Sequence, residues 1–179
     1  YKVTGVQTCA LPILIKWSKS KNCREIIFLS SISPYGPTEN EVSELSIPMP
    51  STPYGISKLS SEFIHKEWKL EDSDRKLSIF RPGVVFGPGE GGNLSRLIKA
   101  IKKNYFVFIG NKQKVKAGIY IKELVNAILW SRNKIISEHS NFIVCNLTLS
   151  PSPSLGDYVN SIKLVGGYKY KPQIGRAHV

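Results

Sequence analysis

The chain has 179 residues, 41% of them hydrophobic, and a formal net charge of +12 at pH 7. The apolar share is enough for one packed domain, and no run is apolar and long enough to span a membrane. The charge suggests nucleic acid, but the lysines (Lys16, Lys66, Lys99, Lys112 and others) are scattered over polar helix faces and loop tips. They fit a solvated surface with some attraction for phosphorylated molecules better than a nucleic-acid footprint.

The ends stand apart. Residues 3–13 read VTGVQTCALPI and residues 174–179 read IGRAHV. One choice of codons for Gln7 to Ile13 gives a DNA whose reverse complement, read from its second base, encodes Ile174 to Val179. Both segments look like translated sequencing adapter and are left out of the fold reasoning. Residues 14–173 then read as an internal fragment of a longer protein.

Within that span Leu14 to Ser20 looks like the tail of a helix. Glu25 to Ser30 is an apolar run ending in serines and a Pro/Gly turn, the pattern of a buried strand with hydroxyls at its carboxyl end. A proline-rich polar loop covers Pro37 to Thr52. A helix follows through about Glu71, with Ile56, Leu59, Phe63 and Ile64 as its expected inward stripe. Leu77 to Phe80 is a second buried strand. Asn93 to Lys103 is a helix with Leu94, Leu97, Ile98 and Ile101 at helical spacing. Tyr105 to Ile109 is a short strand and Ile119 to Ile121 an extended piece. Lys122 to Asn133 is a helix with Leu124, Val125, Ile128 and Leu129 inward, and Phe142 to Leu147 a strand. Ser154, with Asp157 three residues on, opens a last helix by a capping box. Cys23 and Cys145 have no metal-ligand spacing and read as buried small hydrophobes. Strands alternating with helices indicate an α/β domain with a mainly parallel sheet.

The chemistry centres on Tyr54 and Lys58. Four residues apart on a helix, they share one face. An ammonium beside a phenol favours the phenolate, which suits the pair to taking and returning a hydroxyl proton. Upstream stands Ser30-Ser31-x-x-x-Tyr35-Gly36, and downstream Arg81-Pro82-Gly83-Val84-Val85-Phe86-Gly87-Pro88. With Tyr54-Gly55-x-Ser57-Lys58 between them, the chain resembles the extended short-chain dehydrogenase/reductase family of NAD(P)-dependent sugar-nucleotide epimerases, dehydratases and reductases.

The resemblance implies the C-terminal part of a Rossmann-like α/β domain over 14–173, interleaved with substrate-binding segments at about 88–118 and 148–173. It implies Tyr54 as general acid/base, Lys58 as its partner and ligand of the nicotinamide ribose, and Ser31 as hydrogen-bond partner of the reacting hydroxyl or carbonyl. Ser30 and Ser33 are alternatives to Ser31. Leu29, Ser30, Pro82 and Gly83 would border the cofactor, NAD or NADP. Ser33, Val84, Asn93, Leu94, Val107, Ile109 and Lys116 would join Ser31 on the substrate side, with Asn93-Leu94 at a nucleotide-sugar site, Val107 and Ile109 flanking a base, and Lys116 near a diphosphate. It further implies a nucleotide-sugar or other small carbonyl substrate, a cytoplasmic protein and a homodimer, with no nucleic acid or membrane partner. The dimer would pair the outer face of the Tyr54 helix, where Trp68 is the expected apolar residue.

Two departures narrow this. Dehydratases carry Thr-Asp-Glu where Ser31-Ile32-Ser33 stands, so loss of water is not expected. Many epimerases carry Asn at Val84, which leaves room for a reductase of other carbonyl compounds, of 3β-hydroxysteroid type. A non-catalytic cofactor-binding regulator is the reading from another class. The run Gly87-Pro88-Gly89-Glu90-Gly91-Gly92 formally matches G-x-G-x-x-G, but Pro88 removes a backbone donor and no acidic residue ends the next strand. It is therefore set aside as a fingerprint. The family's own glycine fingerprint does not occur in the sequence before Glu25, so these residues alone are expected not to bind NAD(P) and to fold poorly.

Overall fold

The computed structural model describes residues 6–38, 40–137, 140–169 and 173–175; the outermost adapter-like residues, 1–5 and 176–179, lie outside them. The elements in chain order are α1 (Val6–Ser20), β1 (Glu25–Leu29), a 3-10 turn (Ser33–Tyr35), α2 (Pro53–Leu70), β2 (Lys76–Pro82) and β3 (Val84–Phe86). Then come α3 (Asn93–Lys102), β4 (Val107–Ile109), β5 (Gly118–Tyr120), α4 (Ile121–Ser137), β6 (Phe142–Leu147), α5 (Leu155–Gly166) and β7 (Gln173–Gly175). Among the described residues the paired strands are all parallel. The fold is α/β and Rossmann-like, as the alternation of patterns predicts. β3 is absent from the sequence reading, because three residues after a Pro-Gly break carry too little periodicity to register. The first helix also reaches back through the adapter-like residues to Val6, where only its tail from Leu14 is expected.

The chain divides into two compact units. The first holds residues up to Gly83 and Leu124–Leu147. Its sheet has the order β1-β2-β6, with Leu29 opposite Phe80 and Phe80 opposite Cys145. Leu77, Ile79 and Phe80 are fully buried in β2, the middle strand, and α2 packs against β1 and β2. The second unit, Val84–Glu123 and Thr148–Val179, has two separate strand pairs, β3-β5 and β4-β7. Its core is Ile101, Phe108 and Val159, with Leu97, Phe106, Leu155 and Ile162 packed against them. The Ser154–Asp157 capping box opens α5 as expected, and Gly167 closes it in the left-handed conformation.

Three expectations about helix faces are corrected. In α2 the inward residues are Gly55, Glu62, His65 and Trp68, while Ile56 and Phe63 are 52% and 56% exposed. Trp68 is therefore a core residue, 1% exposed, and does not stand on the outer face. The inward face carries a charge, an imidazole and an indole, so a search for aliphatic residues picks the wrong side. In α4 Leu124, Ser131 and Ile135 are buried, whereas Val125 and Leu129 are exposed. Cys23 and Cys145 are only half-buried; the Cys23 thiol donates to the Glu25 carbonyl at 3.1 Å.

Candidate active site

The site is built where α2 begins. Pro53 at the first position, behind Thr52 as N-cap, fixes the helix start: the Thr52 hydroxyl accepts from Gly55 N–H at 3.0 Å. Gly55 then lets the helix lie against the Ser33–Tyr35 turn, since a Cβ there would stand 2.7 Å from the Ser33 carbonyl oxygen. This contact seats the first turn of α2, which carries Tyr54, on Ser33. The Ser31 hydroxyl donates to Ser33 Oγ at 3.0 Å and accepts from Ser33 N–H at 3.1 Å, which orders the turn.

Lys58 lies one turn beyond Tyr54. Its Nζ donates to the Leu29 carbonyl at 3.0 Å and sits 5.8 Å from the centre of the Tyr54 ring and 5.3 Å from that of Phe28. Burial pushes the ammonium below the usual lysine range. An ammonium has three donors, and Leu29 takes one, so two N–H remain for a phenol oxygen and a ligand hydroxyl. Tyr54 itself is 43% exposed, open to a substrate.

The carboxyl ends of β1 and β2 are stitched together beside this pair. Ser30 N–H donates to the Phe80 carbonyl at 2.7 Å, Ile32 N–H to the Pro82 carbonyl at 3.1 Å, and Gly83 N–H to the Leu147 carbonyl at 3.0 Å. Leu29, Pro82 and Gly83 therefore lie at the carboxyl end of one sheet, where open α/β sheets take their ligands, and Lys58 reaches that end from α2 through the Leu29 carbonyl. Ser30 turns its hydroxyl inward, to Glu62 Oε1 at 2.6 Å, and offers a ligand only its backbone.

Reasoning from the sequence alone missed what lies beneath. Glu62, 0% exposed, forms a two-bond pair with Arg81: Nε to Oε1 at 2.9 Å and Nη2 to Oε2 at 2.6 Å. Arg81 Nη1 donates to the Tyr35 hydroxyl at 2.6 Å, which donates to Asn146 Oδ1 at 2.8 Å. The Glu62 hydrogen bonds hold the Arg81 guanidinium further above the usual arginine range. The signal was present: Tyr54, Lys58 and Glu62 recur at four-residue intervals, and Arg81 is a charge inside an apolar strand.

In the second unit Val84, Asn93, Leu94 and Lys116 line one cavity of about 640 Å³ with Phe86, Tyr105 and Tyr158. Gly118 permits this wall, because a Cβ there would meet the Tyr158 hydroxyl. Burial raises the Tyr158 phenol above its ordinary value. Val107 and Ile109 do not line the cavity; they lie on the exposed side of β4. In the glycine run the Glu90 carboxylate accepts from Ser95 N–H and hydroxyl at the N-terminus of α3, and those bonds hold it below the usual carboxylate range. The seat a phosphate would take is filled from within.

The sequence profile of the NAD dependent epimerase/dehydratase family matches residues 11–144. Over 141 residues the chain is 28% identical to the N-acetyl-alpha-D-glucosaminyl-diphospho-ditrans,octacis-undecaprenol 4-epimerase of Escherichia coli O157:H7, covering 78% of this chain and 42% of that protein. The chain spans about two fifths of the length of the curated relatives it matches. Among solved structures it is similar in fold to the UDP-Glc/GlcNAc 4-epimerase of Campylobacter jejuni, with a TM-score of 0.80 at 20% identity over 97% of this chain and 58% of that one. It is likewise similar to the UDP-glucuronic acid 4-epimerase of Bacillus cereus solved with NAD, with a TM-score of 0.78 at 21% identity over 97% and 55%. A profile match of this extent, on a parallel α/β fold with Tyr54 and Lys58 on α2, makes the chain a member of the NAD dependent epimerase/dehydratase family.

Proposed function

We propose that the protein containing this chain is an NAD-dependent 4-epimerase of sugars carried on a diphosphate, with a nucleotide sugar as substrate. The observation that carries the reading is the Lys58 ammonium, fixed on the Leu29 carbonyl one turn after Tyr54 and beside the Ser31 turn. Bound NAD would supply the hydride acceptor and donor that chemistry at a carbinol carbon needs. Lys58, Leu29, Pro82 and Gly83 would border its nicotinamide end. NAD is favoured over NADP because it is the cofactor named with the solved neighbours.

The chain's own residues supply the proton work. Tyr54 accepts the hydroxyl proton as the carbinol becomes a ketone and gives it back when the alcohol re-forms. Lys58 stabilises the phenolate that Tyr54 must be before it accepts that proton and becomes again after returning it. Ser31 lies four residues before Tyr35, on the turn that Gly55 holds against α2, and hydrogen-bonds the same oxygen. Epimerisation needs the sugar ring to present its other face to the same groups. No carboxylate stands at Ser31-Ile32-Ser33, so elimination of water has no acid to drive it. Asn93, Leu94, Val84 and Lys116, sharing one cavity, are suited to the carrier's base and diphosphate. In the full-length protein Tyr54→Phe is expected to lower turnover by about a hundredfold or more while cofactor binding survives. Near-normal turnover in a sugar-nucleotide assay would overturn the reading.

The same reading includes a homodimer. Ile56, Phe63 and Leu70 recur every seven residues along α2, all exposed, and α1 adds Leu14 and Trp17. Two copies paired through α1 and α2 would cover that stripe. Phe63→Glu is expected to give a monomer by light scattering, and an unchanged oligomer would refute the pairing.

A further inference from the structure

The buried Glu62–Arg81 pair is an expensive feature. Two charges taken out of water gain little net stability, and an apolar pair of the same volume commonly serves as well. Its value must then lie in what it orients. Glu62 is the third residue on the Tyr54–Lys58 face of α2. One of its oxygens accepts from both Ser30 and Arg81, the other from Arg81 alone. Ser30 follows Leu29, whose carbonyl holds Lys58. Arg81 follows Phe80, whose carbonyl holds the Ser30 N–H. Arg81 also donates to Tyr35, the last residue of the turn that carries Ser31 and Ser33, and stacks over its ring at 5.0 Å. Tyr35 passes the chain on to Asn146 in β6. Ser30 is thus one hydrogen bond and Pro82 one peptide bond from this pair, Leu29 and Ser31 flank Ser30, and Lys58 is held on Leu29.

We propose that Glu62 and Arg81 are positioning residues. They lock the carboxyl ends of β1 and β2, the Ser31 turn and helix α2 in one register, so that Lys58, held on the Leu29 carbonyl, supports Tyr54 while Ser31 addresses the same reacting oxygen as Tyr54. The inference rests on the catalytic reading of Tyr54 and Lys58. Planar, two-bond pairing is what fixes angle as well as distance, and a network with every member bonded is stiff. Glu62→Gln keeps the shape and removes the charge-assisted fork. Release of the fork lets the Leu29 carbonyl and the Ser31 turn drift, and a drift on the order of 1 Å costs up to about a hundredfold in rate.

The test uses the full-length enzyme with a nucleotide-sugar substrate, comparing wild type, Glu62→Gln, Tyr35→Phe and Tyr54→Phe for kcat, KM and the pH profile of kcat. Glu62→Gln is expected to lower kcat about tenfold or more with KM changed by less than about threefold, and to displace the limb of the profile that Tyr54→Phe abolishes. Tyr35→Phe, which keeps the ring and removes only the bridging hydroxyl, is expected to show a smaller loss of the same kind. It carries the test if Glu62→Gln does not fold. A folded variant of either kind with wild-type kcat and pH limb overturns the proposal. If Tyr54→Phe also retains turnover, the fault lies in the catalytic reading itself; if only Tyr54→Phe is dead, the fault lies in this inference alone.

Discussion

The two units hold themselves together by different physics. The interior of the first is threaded by directional bonds: Ser30, Glu62, Arg81, Tyr35 and Asn146 form one chain from β1 through α2 and β2 to β6. His65 joins the same face of α2, stacked on Phe28 at 4.2 Å with its Nδ1–H on the Ser61 carbonyl at 2.7 Å. The second unit has an apolar core of Ile101, Phe108 and Val159, and its aromatic contacts are edge-on or tilted, such as Phe106 to Phe108 at 5.0 Å. Apolar contacts are forgiving of shape, and bonded networks are not. The unit that carries Tyr54 and Lys58 is the one built so that angles are fixed. The unit whose cavity is proposed for the carrier has an apolar core, of the kind that tolerates volume-conserving change.

The sharpest way to break this contrast is to leave a charge alone. Arg81→Met strands Glu62 and is expected to destabilise the full-length protein by about 3–5 kcal/mol, whereas Glu62→Met/Arg81→Met together should cost less than Arg81→Met alone. Denaturant unfolding of the wild type and the two variants decides it, and a double variant worse than the single would mean that the pair adds net stability. In the second unit Ile101→Ala should cost about 2–5 kcal/mol by opening a cavity. Ile101→Leu should cost under about 1.5 kcal/mol. Arg81→Lys is expected to be much less forgiving, although it keeps the charge, because Lys cannot make the fork.

This contrast also explains what could be read in advance. Apolar patterning placed the strands at 25–30, 77–80 and 142–147 and the helix at Asn93, but of these strands only β2 is buried; Ile27 and Leu29 of β1, expected inside, are exposed. The Tyr54–Lys58 pairing was legible because helix geometry alone sets a four-residue spacing. The inward face of α2 was not, because Glu62 and His65 look like surface residues until Arg81, nineteen positions away, is seen to satisfy the carboxylate. The outward placement of Val107 and Ile109 was equally hidden: alternation along a three-residue strand fixes two sides, and only packing around Phe108 says which is inside.

A smaller effect probes the second unit at its edge. Ser154 accepts from Asp157 N–H at 3.1 Å and the Asp157 carboxylate reaches back to Ser154 N–H at 2.8 Å. Ser154→Ala is expected to cost about 1 kcal/mol in the same unfolding measurement. A loss near zero would show that the packing of Val159 and Ile162, not the cap, sets where α5 starts.

The smallest effect separates the units by pH. Burial pushes the His65 imidazole below its ordinary value of 6.5; the Ser61 carbonyl pulls it back up and the Lys58 charge pushes it down. In the window just below 6.5 the unfolded chain therefore binds a proton that the folded chain declines. Stability from this source is complete above that value and falls as the pH drops through the window. Glu71, Asp72, Glu90 and Asp157 are also held below their ordinary values and lose stability in the same direction, but theirs begins lower, at ordinary values of 4.5 and 3.8. Between about 6.5 and 4.5 the slope belongs, among the described groups, to His65. Thermal unfolding of the wild type should show a gentle fall in Tm across that interval, and His65→Gln should flatten it. An unchanged slope in the variant would rule out His65 as its origin.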